Sequence, residues 1–365
     1  MSETRQRKAE HITVCIENPV QARLMSTGFD DVCLVHKMLP EISLEEIDTS
    51  INLFGHRLSA PIVIEAMTGG TEEAAKINRV LAEAAEEYGV ALGVGSQRAA
   101  LEDDNLTYTF RIARDKAPHA FLIGNLGAPQ IVGGDYLENV RRAVEIIDAD
   151  AFAIHLNSLQ EALQPEGEPS FKGLTEKIKE IVRGTQVPII AKETGAGVAC
   201  EEAKLLEGLG IKGIDVAGAG GTSWAAVESY RAKMRMDVAR EKLGNTFWDW
   251  GIPTAVSTVE VSQTTRLMII SSGGVRTGVD AAKALALGGN AVGLALPFLR
   301  PAIEGKVGDF LETLIGELRT AMFLTGARTV EELRRMPIVI MGKTAEWLRA
   351  RGFKPESYAT RRMFP

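Results

Sequence analysis

The chain has 365 residues, 45% of them hydrophobic and 24% charged, with a net charge of −7, the balance of an ordinary globular protein. The acidic excess gives no general reason to bind nucleic acid, no apolar run reaches membrane length, and the charged start "MSETRQRKAEHI" is not a signal peptide. Cys15, Cys33 and Cys200 are too few and too scattered for a disulfide framework or a zinc site, so a reducing compartment, the cytoplasm, is expected.

Residues 1–60 are mixed in character and read as an N-terminal arm followed by a lead-in segment or a cover on a barrel bottom. From residue 61 the chain alternates. Apolar runs occur at "PIVIEA" (61–66), "ALGVG" (91–95), "AFLIGNLG" (120–127) and "AFAIHLN" (151–157). They continue at "PIIAKE" (188–193), "GIDVAG" (213–218), "RLMIISSGG" (266–274) and "AVGLALPFL" (291–299). Helix-period segments such as "YLENVRRAVEIID" and "LTEKIKEIVRG" lie between them. Short, uniformly apolar strands alternating with amphipathic helices predict a parallel sheet buried on both faces. Eight such units predict an α/β fold, a (β/α)8 TIM barrel, with a doubly wound open sheet as the alternative. A single domain over 1–365 is expected. The stretch after the sixth run, 223–262, is too long for a simple connection and reads as a lid-like insertion carrying a helix and an aromatic-rich loop. Residues 304–365 read as helices packed outside the barrel.

Chemistry in such barrels gathers at the C-terminal strand ends. In order these are "MTGG" (67–70), "SQR" (96–98), Asn125, "HLNSLQE" (155–161), Lys192 with Glu193, "AGAGGT" (217–222), "GGVRTG" (273–278) and "LAL" (294–296). A purely structural barrel has no use for polar or glycine-rich groups at nearly every end. The last two ends fit phosphate held by backbone N–H groups and a helix N-terminus, with Arg276 as an added contact. The glycines of 217–222 follow no dinucleotide fingerprint and would let something flat or anionic approach the backbone. Lys192 suits either a Schiff base with a sugar phosphate or a cation beside the anionic edge of a cofactor ring. A pair with Glu193 is disfavoured, because adjacent strand residues point to opposite faces.

Taken together, "RKAEHI", "MTGG", "SQRAAL", "HLN.LQEALQPEG", "KETGAG", "AGGTSW" and "SGGVRTG" resemble the type 2 isopentenyl diphosphate isomerases, FMN-dependent (β/α)8 enzymes. The resemblance runs from the N-terminus to "GLALPF" near residue 298. It implies interconversion of isopentenyl and dimethylallyl diphosphate with reduced FMN and Mg2+, NAD(P)H serving as reductant, in a homo-oligomer (tetramer or octamer). It places Met67, Thr68, Gly69, Ser96, Asn125, Lys192 and Thr222 around the flavin. The backbone of Gly273, Gly274, Val275 and Arg276, with Ala295 and Leu296, would hold its phosphate. Arg7, Lys8, His11, Ser96, Gln97 and Arg98 would face the substrate diphosphate, with Gln160 also at the substrate. His155, Asn157 and Gln160 would form the catalytic floor, and Glu161 would ligate the metal. Ser158 stands where the family often has Pro, and Ala217 where a flavin-contacting Ser is common. Two rival activities are a 2-hydroxy acid oxidase and IMP-dehydrogenase-like catalysis through Cys200, which sits on "TGAGVAC" or opens the next helix. A non-catalytic binding module is the third reading.

Overall fold

The eight apolar runs become eight short parallel strands, and the last closes on the first. In the computed structural model, which describes residues 3–361, they are β1 (Ile62–Ile64), β2 (Ala91–Gly93), β3 (Leu122–Gly127) and β4 (Ala151–His155), followed by β5 (Ile189–Lys192), β6 (Gly213–Asp215), β7 (Met268–Ser272) and β8 (Ala291–Leu294). They form a closed barrel in chain order, with β8 pairing β1 through Val292↔Ile62 and Leu294↔Ile64. Closure excludes the open-sheet alternative.

The two-residue alternation of each strand sorts its side chains. Ile62, Ile64, Phe152, Ile154, Ile189 and Ala191 pack outward against the surrounding helices. Val63, Ala91, Ile123, Ala151, Ala153, Ile190, Ile270 and Ala291 pack inward as one cluster. Leu53 and Leu58 join that inner cluster from a hairpin, Ile51–Leu53 paired with His56–Leu58. Its two-residue turn, Phe54 and Gly55, has positive φ at both positions (50° and 93°), the geometry that matches strand twist in tight hairpins. The Phe54 ring stacks 6.2 Å from Phe121. It comes close enough to β6 that a Cβ on Gly213 would lie 2.7 Å from it. The expected cover on the barrel bottom is this hairpin, and it forces function to the opposite mouth.

Four expectations need correction. The run 291–299 is not all strand: after β8 the chain turns at Ala295 into a helix, Leu296–Glu304, whose early Pro297 suits a first turn. The 223–262 stretch holds three helices rather than one, Trp224–Met234, Val238–Thr246 and Thr254–Thr264. The last of these is the barrel helix preceding β7. Its Thr254, Ser257, Thr258 and Glu260 are fully buried, so apolarity alone did not mark it. The N-terminal arm is a helix, Glu3–Glu17, lying against Trp224–Met234. The C-terminal region carries, besides helices such as Val307–Thr325, a strand Ile338–Ile340 antiparallel to Val32–Leu34; residues 362–365 lie outside the described residues.

Candidate active site

One pleat above the inner apolar layer, the inward positions turn polar. Two residues beyond Val63 is Glu65, beyond Ile190 is Lys192, beyond Gly213 is Asp215, and beyond Ile270 is Ser272. The Lys192 ammonium donates to Glu65 Oε2 at 2.6 Å and to Asp215 Oδ2. The Ser272 hydroxyl donates to the other Asp215 oxygen and accepts from Ala217 N at 3.1 Å. Burial alone would lower the Lys192 pKa, but Asp215 and Glu65 together raise it above the ordinary lysine value, so Lys192 is a fixed cation. A permanently protonated amine is a poor Schiff-base nucleophile, which removes that reading. Glu193 points away from this cluster as strand geometry requires. One of its oxygens accepts from the N–H groups of Thr194, Gly195 and Ala196 at 2.5–2.6 Å.

Over this layer lies an open cavity that encloses, with the solvent at its mouth, about 1070 Å³. Its walls include Met67, Thr68, Lys192, Thr222, Gly273, Gly274, Val275, Arg276, Ala295 and Leu296, and on the opposite side Lys8, His11 and Trp224. The β6–β8 side is bare backbone. A Cβ on Gly221 would lie 2.3 Å from Gly274 N, one on Gly218 2.3 Å from Thr254 Cα, and one on Gly273 2.3 Å from Gly218 O. Gly273 and Gly274 also have φ of 104° and 74°, so a side chain there is excluded twice over. The Gly278–Ala286 helix satisfies its own N-terminus, through the Thr277–Asp280 capping box and Glu317 on Gly278 N at 2.6 Å. An anion is therefore left to the 273–275 loop and the start of Leu296–Glu304. Arg276 departs from expectation. Its N–H is taken by Asp280 and its guanidinium donates back to Val275 O at 2.9 Å.

FMN fits this half. The buried hydroxyls of Thr68 and Thr194, both on the cavity wall, have no partner among the described residues, the condition in which a ligand completes the hydrogen bonding. Gly69, Ser96 and Asn125 do not line the cavity itself. Asn125 sits behind it, its Oδ1 accepting from His155 Nδ1 at 2.8 Å.

The opposite half is built from charges. Lys8 donates to Ser96 O at 2.6 Å and lies 5.0 Å from the centre of the Phe110 ring. Burial, with Arg7 adding repulsion, brings its pKa down to about 7. Burial and the surrounding cations, Lys192 first, lower His155 to about 3, so it is neutral. Asn157 caps the helix Ser158–Leu163 by accepting from Gln160 N at 2.9 Å, which turns the Gln160 side chain inward. From there a chain of contacts runs across the mouth. Asn157 Nδ2 donates to Gln160 Oε1 (2.9 Å), Gln160 Nε2 donates to Glu228 Oε1 (3.1 Å), and His11 Nε2 meets the same oxygen at 3.0 Å. Burial would raise the Glu228 pKa, but the His11 and Gln160 contacts and the Arg231 charge lower it overall. Arg231, its side chain fully buried, bonds Glu228, Glu10 and Glu166 at 2.6–3.0 Å. It ties the arm helix, the acidic loop after β4 and the insertion into one unit. Despite burial, Arg231 and Arg235 bring Glu166 down to about 2.

Two predicted contacts fall elsewhere. Gln97 is fully buried with its amide spent on the frame, donating to Ala143 O at 2.7 Å and accepting from Asn125 N at 3.0 Å. It holds β2 to β3 and does not face a diphosphate. Cys200 opens the helix Cys200–Gly208 beside Arg351, Glu201 and Glu260, apart from the cavity wall, so the thiol-nucleophile reading fails. Arg98 pairs with Glu102 at 2.7 Å, and one Glu161 oxygen accepts from Glu168 N at 2.8 Å.

The comparisons with known proteins decide the family. A family model described as FMN-dependent dehydrogenase matches residues 2–107 and 156–339. An isopentenyl-diphosphate delta-isomerase of Methanothermobacter thermautotrophicus is 50% identical over 357 residues, 97% of this chain and 99% of the relative. One from Pyrococcus furiosus is 51% identical over 355 residues, 94% of this chain and 89% of the relative. The chain belongs to the isopentenyl-diphosphate delta-isomerase family. A lactate oxidase from Pediococcus acidilactici superposes with a TM-score of 0.67 at 16% identity, covering 92% of this chain and 94% of that one, which shows a shared barrel.

For a member of the isomerase family, the residues that sequence reasoning missed are as telling as those it found. Glu65, Asp215 and Ser272 sit inside sequence runs that were read as plainly apolar, Glu65 just past the end of β1, and Glu228 and Arg231 sit in an insertion read for its aromatics. Strand periodicity carried the signal for the first three. For Glu228 and Arg231, the i, i+3 charge pair on one helix was the clue.

Proposed function

We propose that the protein interconverts isopentenyl and dimethylallyl diphosphate for isoprenoid biosynthesis, with reduced FMN in the glycine-lined half of the cavity, Mg2+ at Glu161 and NAD(P)H as reductant. The observation that carries this reading is the Asn157–Gln160–Glu228–His11 chain, which reaches the cavity through His11, across from its backbone-lined wall. Moving a double bond by one carbon needs a proton delivered at one position and removed at another, with tertiary cation character between. When bound, reduced FMN supplies an electron-rich ring that stabilises that cation and a ring nitrogen able to carry a proton.

This chain's own residues do the rest. Ionised Glu228 is the candidate proton acceptor, oriented by Gln160 and His11 and kept charged by Arg231. His155 stays neutral, so it adds no positive charge beneath a developing cation. Arg7, Lys8 and Arg98 supply positive charge for the diphosphate. Glu161 suits Mg2+, a hard cation that takes one or two carboxylates and completes its shell with phosphate oxygens and water. The arm helix covers the mouth and excludes water.

The test is the purified protein's flavin spectrum, followed by anaerobic turnover after the flavin is photoreduced with a sacrificial electron donor and no NAD(P)H. Many turnovers per flavin in D2O, with deuterium entering the product, support the reading. One NAD(P)H consumed per product, or oxygen-dependent oxidation of 2-hydroxy acids, overturns it. No described helix is long and apolar enough to cross a membrane, and a cytoplasmic location fits the three free cysteines. Exposed Met234, Met236, Val238 and Trp250 on the insertion favour a homo-oligomer, which sedimentation would check.

A further inference from the structure

We infer that Glu65 is a neutral carboxylic acid in the folded protein, so that the Glu65–Lys192–Asp215 cluster carries no net charge at the floor of the cavity. The argument begins with counting. Two carboxylates and one ammonium meet within hydrogen-bonding distance, and all three side chains are at least nine-tenths buried. With every group ionised the cluster would hold one uncompensated negative charge away from water, a costly state. One carboxylate must take a proton, and the contacts select which. Asp215 receives two donors, the Lys192 ammonium through one oxygen and the Ser272 hydroxyl through the other. Glu65 receives Lys192 on Oε2 alone, while Oε1 has no partner among the described residues. That oxygen sits against β8 at Gly293, where a Cβ would come within 2.1 Å of it, so strand β8 offers it neither donor nor charge.

The surroundings agree. Around the cluster, Lys192 and Asp215 are the charged neighbours, Ser272 lies behind Asp215, and His155 on β4 is neutral. Lys8, His11 and Arg276 line the same cavity. Burial first, then repulsion from Asp215, lifts Glu65 to about 8 against the pull of Lys192. Glu65 is thus a positioning residue. By staying protonated it leaves Lys192 paired with Asp215 alone and keeps a second negative charge away from the ring that occupies the cavity. The protonation itself follows from this chain's side chains, and only its effect on the flavin rests on the FMN reading.

Two measurements test it. Buried Glu193, lifted by burial to about 7, adds its own protonated-carboxyl signal. Besides it, infrared titration of flavin-free protein should show a band present at pH 6 that disappears with a midpoint near pH 8 and is missing in Glu65→Gln. Absence of that band at pH 6, or its persistence in Glu65→Gln, overturns the inference whether or not flavin binds. In the FMN-loaded protein, flavin reduction should become harder with rising pH more steeply in the wild type than in Glu65→Gln. The two curves should converge below pH 7 and separate above pH 8, where ionised Glu65 opposes the added electrons. Curves that run parallel from pH 6 to 10 overturn the claim that Glu65 sets the charge at the ring, and a colourless protein instead counts against the FMN reading.

Discussion

Along the wall formed by β6, β7 and β8, backbone and glycine shape the cavity, whereas along the wall formed by the arm helix, the β4 loop and the insertion, charged side chains do. The first wall is continuous with the core. Its glycines are packed against backbone at distances no side chain could occupy, so it has one shape. The second is held by ion pairs between segments far apart in sequence, Glu10, Glu166, Glu228, Arg231 and Arg235. A preformed wall suits a resident cofactor, while a wall latched by charges can open to admit a diphosphate and close around it. Mutations should therefore separate, with cofactor content following the first wall and turnover following the second.

The largest effect should come at the cavity floor beneath the first wall, where the buried charge cluster is broken. Lys192→Met leaves the Asp215 carboxylate buried without its cation and Glu65 without its hydrogen-bond donor, and removing one partner of a buried ion pair costs about 3–5 kcal/mol. Urea unfolding should register that loss, and the variant should purify without flavin. A yellow, fully stable Lys192→Met protein would mean that the cluster neither holds the floor nor serves the ring.

Next is the centre of the second wall. Glu228→Gln keeps the shape and a hydrogen bond to Gln160 but removes the proposed proton acceptor, so kcat should fall by about 10³-fold, within the range for a lost general base. Flavin content should stay at the wild-type level, and that combination is the sharpest form of the division. Glu161→Gln should follow, losing the proposed charged contact to Mg2+, worth about 2–3 kcal/mol and roughly 100-fold in kcat/KM, with partial recovery at high Mg2+. An unchanged rate and metal requirement would move the metal elsewhere.

The two walls also differ in how well they can be read from sequence. Glycine-rich strand ends betray the first wall directly, because "AGAGGT" and "GGVRTG" have few other uses at those positions. The closed barrel was legible for a similar reason, since strand-length apolar runs and helix periods recur eight times. Glu65, Asp215 and Ser272 escaped because the runs holding them were taken whole, without asking which of their positions point inward. Gln97 misled in the opposite direction: a polar residue at a strand end reads as a site residue, yet its amide is fully buried and consumed by Ala143 and Asn125. The second wall depends on tertiary contacts that bring residues 10 and 166 to the local 228/231 pair, and no local pattern encodes those long-range meetings.

The smallest effect should come from the edge of the second wall, at Lys8. Its ammonium is desolvated between Phe110 and Ser96 O, and burial, with Arg7 close by, brings its pKa to about 7 in the free protein. A lysine with a lowered pKa is charged below that value and neutral above it, so its attraction for a diphosphate should weaken as pH rises through 7. The wild-type KM should therefore climb between about pH 6.5 and 8. Lys8→Ala should have a KM raised by about 10-fold, the value of one charge-assisted hydrogen bond, and should lose that rise. Its KM should also respond less steeply to added salt, since one ionic contact fewer remains to be screened. Flavin content should not change, because Lys8 lies on the arm's side of the cavity. If Lys8→Ala kept the wild-type pH profile, the titrating group would lie elsewhere and the arm would be only a cover. If it lost flavin instead, the two walls would not be separable at all.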